Sequence, residues 1–284
     1  MTPTTGDGTG PRLTTALRGA AADEARYEDR MQRLRELAPG VLVATAAYAT
    51  TTSTVVTAGD GGCLVIDPAV SVAEVAGLAA DLAGAGLRPR AGFATHSHWD
   101  HVLWCRDLGD VPRYAAPRAV DVAARERDAM AGELEQSAPG HDLDLFASLI
   151  PLPEGSDRIP WPGPIAEVII HDGHAPGHGA VFLPETGVLI AGDMLSDIEI
   201  PLLDTAEHDP LGAYRIGLQR LAAVRGVRLL VPGHGHIADA AEFRHRIDTD
   251  NRYLDQLAAG QPFDDPRCSE EWLREWHEHQ LRSS

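Results

Sequence analysis

Four potential metal ligands lie within six consecutive residues of this sequence. The stretch His-Ser-His-Trp-Asp-His supplies His96, His98, Asp100 and His101, and it follows the short apolar run 91–95, whose pattern predicts a buried strand. Alternate residues of an extended chain point to the same side, so the first two imidazoles can share one metal. The last two ligands follow as the chain turns away and can face a second metal. A lone His-x-His pair is more often a surface turn, but this density favours a metal site.

Other candidate ligands follow other predicted strands. Because strand ends at one sheet edge are the usual place for chemistry in α/β proteins, we expect these side chains to lie together. A glycine beside each of them, except the first, lets the backbone turn closely. The candidates are Asp67, His174, His178, Asp193, His234 and His236.

Imidazole and carboxylate ligands without thiolate suit Zn²⁺, with Mn²⁺ or Fe²⁺ as alternatives. Two metals about 3.5–4 Å apart can share a water and lower its pKa from ~15.7 to about 7, which gives a hydroxide at neutral pH. The pattern therefore indicates a dinuclear metal site whose hydroxide attacks a carbonyl or phosphoryl centre.

Taken in order, these motifs resemble those of the metallo-β-lactamase fold superfamily over roughly residues 40–236. The resemblance implies an α/β fold (α+β by some schemes), a four-layer αββα sandwich of two mixed β-sheets flanked by helices, with two metals at one edge. The matching motifs are His96-Ser97-His98-Trp99-Asp100-His101, Pro176-Gly177-His178, Gly192-Asp193 and Pro232-Gly233-His234, with Asp67 in place of the first motif.

Carried over by position, the resemblance assigns a ligand set. The first metal takes His96, His98 and His178, the second takes Asp100, His101 and His234, and Asp193 bridges them. Asp100 and Asp193 also carry the catalytic assignment. Asp67, His174 and His236 are expected to support the ligands from outside, because the Pro-Gly-His context favours His234 over His236.

The resemblance implies a metal-dependent hydrolase, and an aspartate at position 193 is typical of members that act on thioesters, lactones and phosphodiesters. The apolar loop 194–203 predicts a hydrophobic pocket wall, so we expect a small, partly apolar ester, thioester or lactone as substrate. Phosphodiesterase or nuclease, β-lactamase and iron-dependent oxygenase activities remain alternatives. The residues expected to contact substrate are Trp99, Trp104, Leu195 and Ile198, with Tyr48 and Trp161 as further walls.

Composition limits the partners. The chain has 284 residues, a formal net charge of −18 and no lysine, since all 24 basic residues are arginine. An acidic surface argues against nucleic acid as the main partner, and the absence of lysine excludes a Schiff base or a P-loop lysine. Three scattered cysteines indicate a reducing compartment, and neither a signal peptide nor a membrane span is apparent, so a cytoplasmic protein that does not bind membranes is expected.

Three segments are predicted. Residues 1–38 combine a disordered stretch with a helix over 14–38, which could pack on the core or on a second copy in a homodimer. Residues 39–260 form the metal-binding domain, in which we expect a short helix over 101–108, a capping box that starts the helix 71–83, and a hairpin over 180–191. Residues 261–284 form a charged helical tail.

Overall fold

The computed structural model describes residues 32–204, 207–261 and 265–283. A first sheet contains seven strands in chain order, antiparallel from the first to the fourth strand and parallel from the fourth to the seventh. The strands are β1 Gln32–Ala38, β2 Val41–Thr45, β3 Thr52–Thr57, β4 Gly62–Ile66, β5 Arg88–Phe93, β6 Arg113–Ala115 and β7 Ile150–Pro151.

A second sheet contains five strands in the order β12-β11-β10-β9-β8. All its pairs are antiparallel except β10 with β11, which is parallel. The expected hairpin forms between β9 and β10. The strands are β8 Glu167–His171, β9 His178–Leu183, β10 Val188–Gly192, β11 Leu229–Pro232 and β12 Ala238–Asp239.

Among the residues that the structure describes there are five α-helices. They are α1 Val72–Gly84, α2 Pro117–Ser137, α3 Pro210–Ala222, α4 Ala240–Ala258 and α5 Glu271–Ser283. The predicted capping box is present, since Ser71 and Glu74 exchange side-chain to backbone hydrogen bonds at the start of α1. No helix in the described part of the chain is both long and apolar enough to cross a membrane.

Strands at the centre of each sheet are buried on both faces. In β4, Leu64 packs towards the second sheet while Val65 packs against α1. In β10, Ile190 packs between the sheets while Leu189 packs towards α3 and α4. Because each sheet has one face against the other sheet and one against helices, the architecture is the predicted four-layer αββα sandwich.

Two predicted helices are wrong. Residues 32–38 form β1. Leu34 and Leu37 are three positions apart, and because side chains alternate along a strand they pack on different sides of the sheet, although the same spacing suggests a helix. The rest of the helix predicted over 14–38 lies outside the described residues. Over 101–108 only Arg106–Leu108 forms a 3-10 turn, because the run 102–104 is buried on all sides and offers no polar face for a helix.

The two sheets meet at the edge where the candidate ligands lie. The Thr52 backbone N–H donates to the Gly233 carbonyl at 2.8 Å, and the Gly179 N–H donates to the Thr95 carbonyl at 2.7 Å. These bonds join the loops that follow β5 and β11 to strands of the opposite sheet. The loop after β5 carries 96–101. The loops after β4, β8, β10 and β11 carry the other candidates, except His178, which begins β9, so residues distant in sequence converge.

Candidate metal centre

Three imidazoles and one carboxylate form a first cluster. His98 Nδ1 lies 3.0 Å from His96 Nε2 and 3.1 Å from His174 Nε2. Asp193 Oδ2 lies 3.5 Å from both of those Nε2 atoms. The four ligand atoms lie within 4.8 Å of one another, which is the arrangement of groups that could hold one metal ion.

A second cluster adjoins the first and contains Asp100, His101 and His234. His234 Nε2 lies 3.2 Å from Asp100 Oδ2 and 3.4 Å from His101 Nε2. Asp193 also reaches this cluster, because its Oδ1 lies 3.1 Å from His101 Nε2 and its Oδ2 lies 3.3 Å from His234 Nε2. One carboxylate therefore contacts both clusters.

The structure exchanges the roles expected of His174 and His178. His174 enters the first cluster, whereas His178 enters neither and stacks its ring against His96 at 5.1 Å and His171 at 4.6 Å. The physical reason is that His178 is the first residue of β9 and pairs with His171 in β8, which fixes its ring among core residues. The geometry corrects the assignment of His178 as a ligand and favours His174.

Polar groups contact the imidazoles from outside the clusters. Asp67 Oδ2 lies 3.0 Å from His101 Nδ1, and Asp67 also accepts hydrogen bonds from the backbone and side chain of Thr95. The Ala49 carbonyl lies 3.1 Å from His234 Nδ1, and the Leu202 carbonyl lies 3.1 Å from His174 Nδ1. Such partners fix the ring orientation and leave Nε2 for the metal.

His236 does not play the supporting role expected of it. Its side chain is 69% exposed and its Nδ1 pairs with Asp197 Oδ2 at 2.9 Å. It contacts neither cluster, because Gly235 turns the chain with a φ of 110° immediately after His234. The preference for His234 over His236 as the cluster residue agrees with this geometry.

Backbone strain is concentrated around the clusters. Asp67, His174 and Leu195 have left-handed φ angles of 48°, 69° and 63°. A non-glycine residue in such a conformation costs about 1–3 kcal/mol and is often retained where function requires it. Here the strain lies in the three loops that place or support cluster side chains.

The protonation states of His96, His174 and Asp193 suit metal binding. For His101 and His234, burial lowers the pKa, but neighbouring carboxylates, Asp193 first, outweigh it and raise the pKa well above its ordinary value, so metal binding there would release a proton. Burial, with His101 next, holds the pKa of His96 well below its ordinary value, and burial with His98 lowers the pKa of His174 to about 3. Burial opposes ionisation of Asp193, but His101, His234 and His96 outweigh it and hold its pKa well below the usual range. Neutral imidazoles and ionised carboxylates are the forms that bind metal. The donor set therefore fits two transition-metal ions.

A cavity of about 300 Å³ opens beside both clusters. Trp99 and Ile198 line it as expected. Besides cluster residues, the lining consists of Tyr48, Ala49, Thr50, Trp99, Ile198, Glu199, Leu202, Glu270, Trp272 and Leu273.

Three residues expected at this cavity lie elsewhere. Trp104 donates its indole N–H to the Gly109 carbonyl at 2.9 Å and packs in the core beside α1. Leu195 is completely buried in the core between the second sheet and its helices. Trp161 packs at the core between the sheets. Ile198 and Leu202 of the predicted apolar loop do line the cavity, but apolar residues next to a ligand can equally be core residues.

Sequence reasoning missed the part of the wall that carries charge. Glu199 is half-buried in the cavity wall, and burial is the main cause that raises its pKa to about 7. His234 opposes this shift, whereas Asp193 and Asp100 add to it. Glu270 and Trp272 come from the C-terminal segment. The sequence feature that could have indicated their place in the wall is Trp272, an aromatic residue in a charged helix.

A buried arginine ties the cavity wall to the C-terminal segment. Arg267 Nη1 donates to the Asp250 carboxylate at 2.6 Å and to the Ser196 and Glu199 carbonyls at 3.2 and 3.0 Å. A second contact joins Asp265 to the same guanidinium at 2.7 Å. The wall loop and the residues around Glu270 are thereby held in one arrangement.

We expect Arg267→Ala to lower the free energy of unfolding by about 3–5 kcal/mol, because it leaves the fully buried carboxylate of Asp250 without its partner. Urea denaturation measures the loss. Arg225→Ala is the matched control, since Arg225 is exposed and a surface substitution changes stability by about 0.5 kcal/mol or less. Equal stability of the two variants would contradict a stabilising role for the buried network.

Comparisons with known proteins agree with this geometry. Residues 49–234 match the family model described as the metallo-beta-lactamase superfamily. The chain is 31% identical over 190 residues to a hydroxyacylglutathione hydrolase of Ruegeria pomeroyi, with 67% of this chain and 66% of that protein covered. It is 28% identical over 134 residues to a probable metallo-hydrolase of Bacillus subtilis, with 41% and 48% covered. The chain thus spans about half to two thirds of the length of these relatives.

Solved structures show the same fold. A metallo-beta-lactamase family protein from Thermus thermophilus superposes with a TM-score of 0.64 at 23% identity, covering 87% of this chain and 92% of that one. A beta-lactamase domain protein from Burkholderia ambifaria superposes with a TM-score of 0.64 at 19% identity, covering 87% and 86%.

Proposed function

Because the chain belongs to the metallo-beta-lactamase superfamily, we propose that it is a metal-dependent hydrolase that cleaves an ester, thioester or lactone of a small, partly apolar substrate at a dinuclear centre. The observation that carries the proposal is the Asp193 carboxylate, which contacts both His/Asp clusters and lines the cavity beside them. The hydroxyacylglutathione hydrolases among the relatives support thioesters within this class.

The proposed ligands follow the two clusters. His96, His98 and His174 would hold one metal, Asp100, His101 and His234 the other, and Asp193 both. Zn²⁺ is the proposed ion, since imidazole and carboxylate without thiolate suit it. When bound, such a pair supplies a strong nucleophile from water at neutral pH and polarises the carbonyl under attack.

The remaining steps belong to the side chains of this protein. Ile198, Leu202 and Leu273 offer apolar contact to the part of the substrate that does not react. The buried rings of His101 and His174, which contact the Asp67 carboxylate and the Leu202 carbonyl, are held in place, so the ligand atoms need little rearrangement when substrate enters. No serine or cysteine occurs among the described residues that line the cavity, so neither can act there as a covalent nucleophile.

Phosphodiester substrates are disfavoured by the charge of the wall. Among the described lining residues there is no arginine, whereas Asp100, Asp193, Glu199 and Glu270 all carry carboxylates. Arginine is over-represented where proteins recognise phosphate, so this lining favours an uncharged carbonyl group over a phosphodiester.

Metal content and substrate class can be tested on one preparation. Elemental analysis of gently purified protein is expected to show about two metals per chain, with zinc preferred. The metal-quantified protein is then assayed on matched nitrophenyl acetate and thioacetate, γ-butyrolactone, bis-nitrophenyl phosphate and a chromogenic cephalosporin. We expect turnover of the first three classes, loss on chelation and recovery with Zn²⁺.

Two results would contradict the proposal. One is less than one metal per chain with no gain on reconstitution. The other is a preference for the phosphodiester or the cephalosporin over every carboxylic ester, thioester and lactone tested. The same substrates, assayed with the Fe²⁺-loaded protein in the presence of dissolved oxygen, test the alternative oxygenase activity.

A further inference from the structure

A single peptide group connects the C-terminal helix α5 to the first cluster. The Leu202 carbonyl lies 3.1 Å from His174 Nδ1, and the N–H of the same peptide, which belongs to Leu203, donates to Gln280 Oε1 at 2.6 Å. Gln280 is a buried residue of α5. Because the C=O and N–H of a trans peptide point in opposite directions, this group lies between the Gln280 amide and the His174 ring.

The contact with the Leu202 carbonyl determines which nitrogen of His174 faces the cluster. A carbonyl oxygen only accepts hydrogen bonds, so Nδ1 must carry the proton of the neutral ring. The unprotonated nitrogen is then Nε2, the atom that lies 3.5 Å from Asp193 Oδ2 and 3.1 Å from His98 Nδ1. The carbonyl therefore keeps the ring in the form and orientation that can bind a metal.

The Gln280 amide is itself fixed by other side chains. Its Oε1 also accepts a hydrogen bond from Trp276 Nε1 at 3.1 Å, and its Nε2 donates to Tyr253 Oη at 2.6 Å. Both ends of the amide are used, so it cannot rotate without losing these bonds together with the one to the loop. The peptide 202–203 thus meets an acceptor whose position is set by α4 and α5.

Other contacts hold the main chain nearby without reaching the His174 ring. The Gly177 N–H donates to Asp172 Oδ1 at 2.8 Å within the turn before β9. Arg267 holds the start of the loop 196–203 through two of its carbonyls. Gln280 differs from these residues because it holds the peptide whose own carbonyl contacts the ring.

We infer that Gln280 is a positioning residue for the metal ligand His174 and acts through the peptide 202–203. The inference rests on the proposed dinuclear centre, and it assigns part of the metal affinity to a residue of α5 that is not among the described residues lining the cavity. Hydrogen bonds in a chain strengthen one another, so loss of the Gln280 bond weakens the bond between the peptide and the ring.

Gln280→Met keeps the length of the side chain but removes the amide. We expect one of the two metals to bind about tenfold more weakly while the other binds as in the wild type, since loss of a partner outside a metal ligand weakens that site by at least this factor. Competition titration with Zn²⁺ and a chromophoric chelator resolves the two dissociation constants without any substrate. Gln280→Glu is expected to restore both affinities, because a carboxyl oxygen accepts the same hydrogen bond from the Leu203 N–H.

Tyr253→Phe is the matched control. It removes another buried hydrogen bond of the Gln280 amide but leaves the bond to Leu203 in place. Urea denaturation is expected to show a comparable loss of stability for Tyr253→Phe and Gln280→Met, with metal affinity lowered only in the second. If Gln280 supported the fold alone, both variants would lose metal affinity equally.

A double variant tests whether the effect passes through His174. In the His174→Ala background, Gln280→Met is expected to leave the affinity for the remaining metal unchanged, because effects that act through one residue do not add. Should Gln280→Met fail to fold, Gln280→Asn replaces it. Its amide is one methylene shorter and withdraws from the Leu203 N–H, so the same loss of metal affinity is expected.

The outcomes separate this inference from the proposed function. Weaker binding of one metal in Gln280→Met, with no ester, thioester or lactone hydrolysed by the wild type, would count against the proposed function alone. Unchanged affinity in Gln280→Met and Gln280→Asn, an equal loss at both sites, or an equal loss in Tyr253→Phe would overturn the inference, even in a wild type that hydrolyses these substrates. A wild type that binds no metal would refute both.

Discussion

Asp193→Asn is expected to reduce metal content from about two ions per chain towards one and to lower turnover at least ~100-fold. Loss of a residue that only hydrogen-bonds a metal ligand already lowers activity by up to about 100-fold, and a direct ligand should matter at least as much. The reason is that Asp193 reaches His101 Nε2 with one oxygen at 3.1 Å and His234 and His96 Nε2 with the other at 3.3 and 3.5 Å. An amide keeps the size of the group but loses the charge and one strong oxygen ligand. Mass-spectrometric metal titration and steady-state kinetics measure both effects.

Asp209→Asn is the matched control for this variant. Asp209 caps α3 by accepting a hydrogen bond from the Gly212 N–H at 2.9 Å, and asparagine caps a helix about as well as aspartate. The control is therefore expected to keep both metals and full turnover. If Asp193→Asn bound two metals with wild-type affinity, the carboxylate would not be a shared ligand, and the assignment of a bridging role would be lost.

The sequence predicts the local part of this centre well, for a physical reason. His96, His98, Asp100 and His101 lie in one short loop after a buried strand, so their relative positions depend on neighbouring residues alone. The layers of the sandwich are likewise predictable, because doubly buried strands such as β4 and amphipathic helices such as α1 have distinct patterns. These are short-range properties of the chain.

The errors occur where residues distant in sequence decide the position of a side chain. Trp104 and Leu195 are apolar and near ligands, and nothing local distinguishes a cavity wall from a core position. Glu270 and Trp272 reach the cavity only because Arg267 joins their segment to the loop around Glu199. A sequence motif cannot reveal such a contact, since no periodicity relates the two segments.

His174 and His178 pose the same problem at the metal itself. Each follows a glycine, Gly173 or Gly177, so the local sequence does not distinguish them. In the structure the distinction comes from strand pairing, because His178 is opposite His171 in the β8–β9 ladder while His174 lies in the preceding turn. The ring of His174 is then free to face His98 and Asp193.

His174→Ala is therefore expected to weaken the first metal site and reduce turnover by at least about 100-fold, whereas His178→Ala is expected to keep both metals. The second variant removes a buried ring that contacts His96 and His171 by stacking, so its main effect is a loss of stability of about 2–5 kcal/mol, typical of large-to-small changes in a core. Metal quantification and urea denaturation of both variants separate the two roles.

The reverse pattern is the outcome that decides against this assignment. Loss of metal in His178→Ala, with metal retained in His174→Ala, would require the turn before β9 to rearrange when the ions bind. Such a rearrangement would have to break the hydrogen bond between His174 Nδ1 and the Leu202 carbonyl and the pairing of His178 with His171. Because both contacts are buried and the second belongs to a β-ladder, we expect the geometry to persist and His174 to carry the metal.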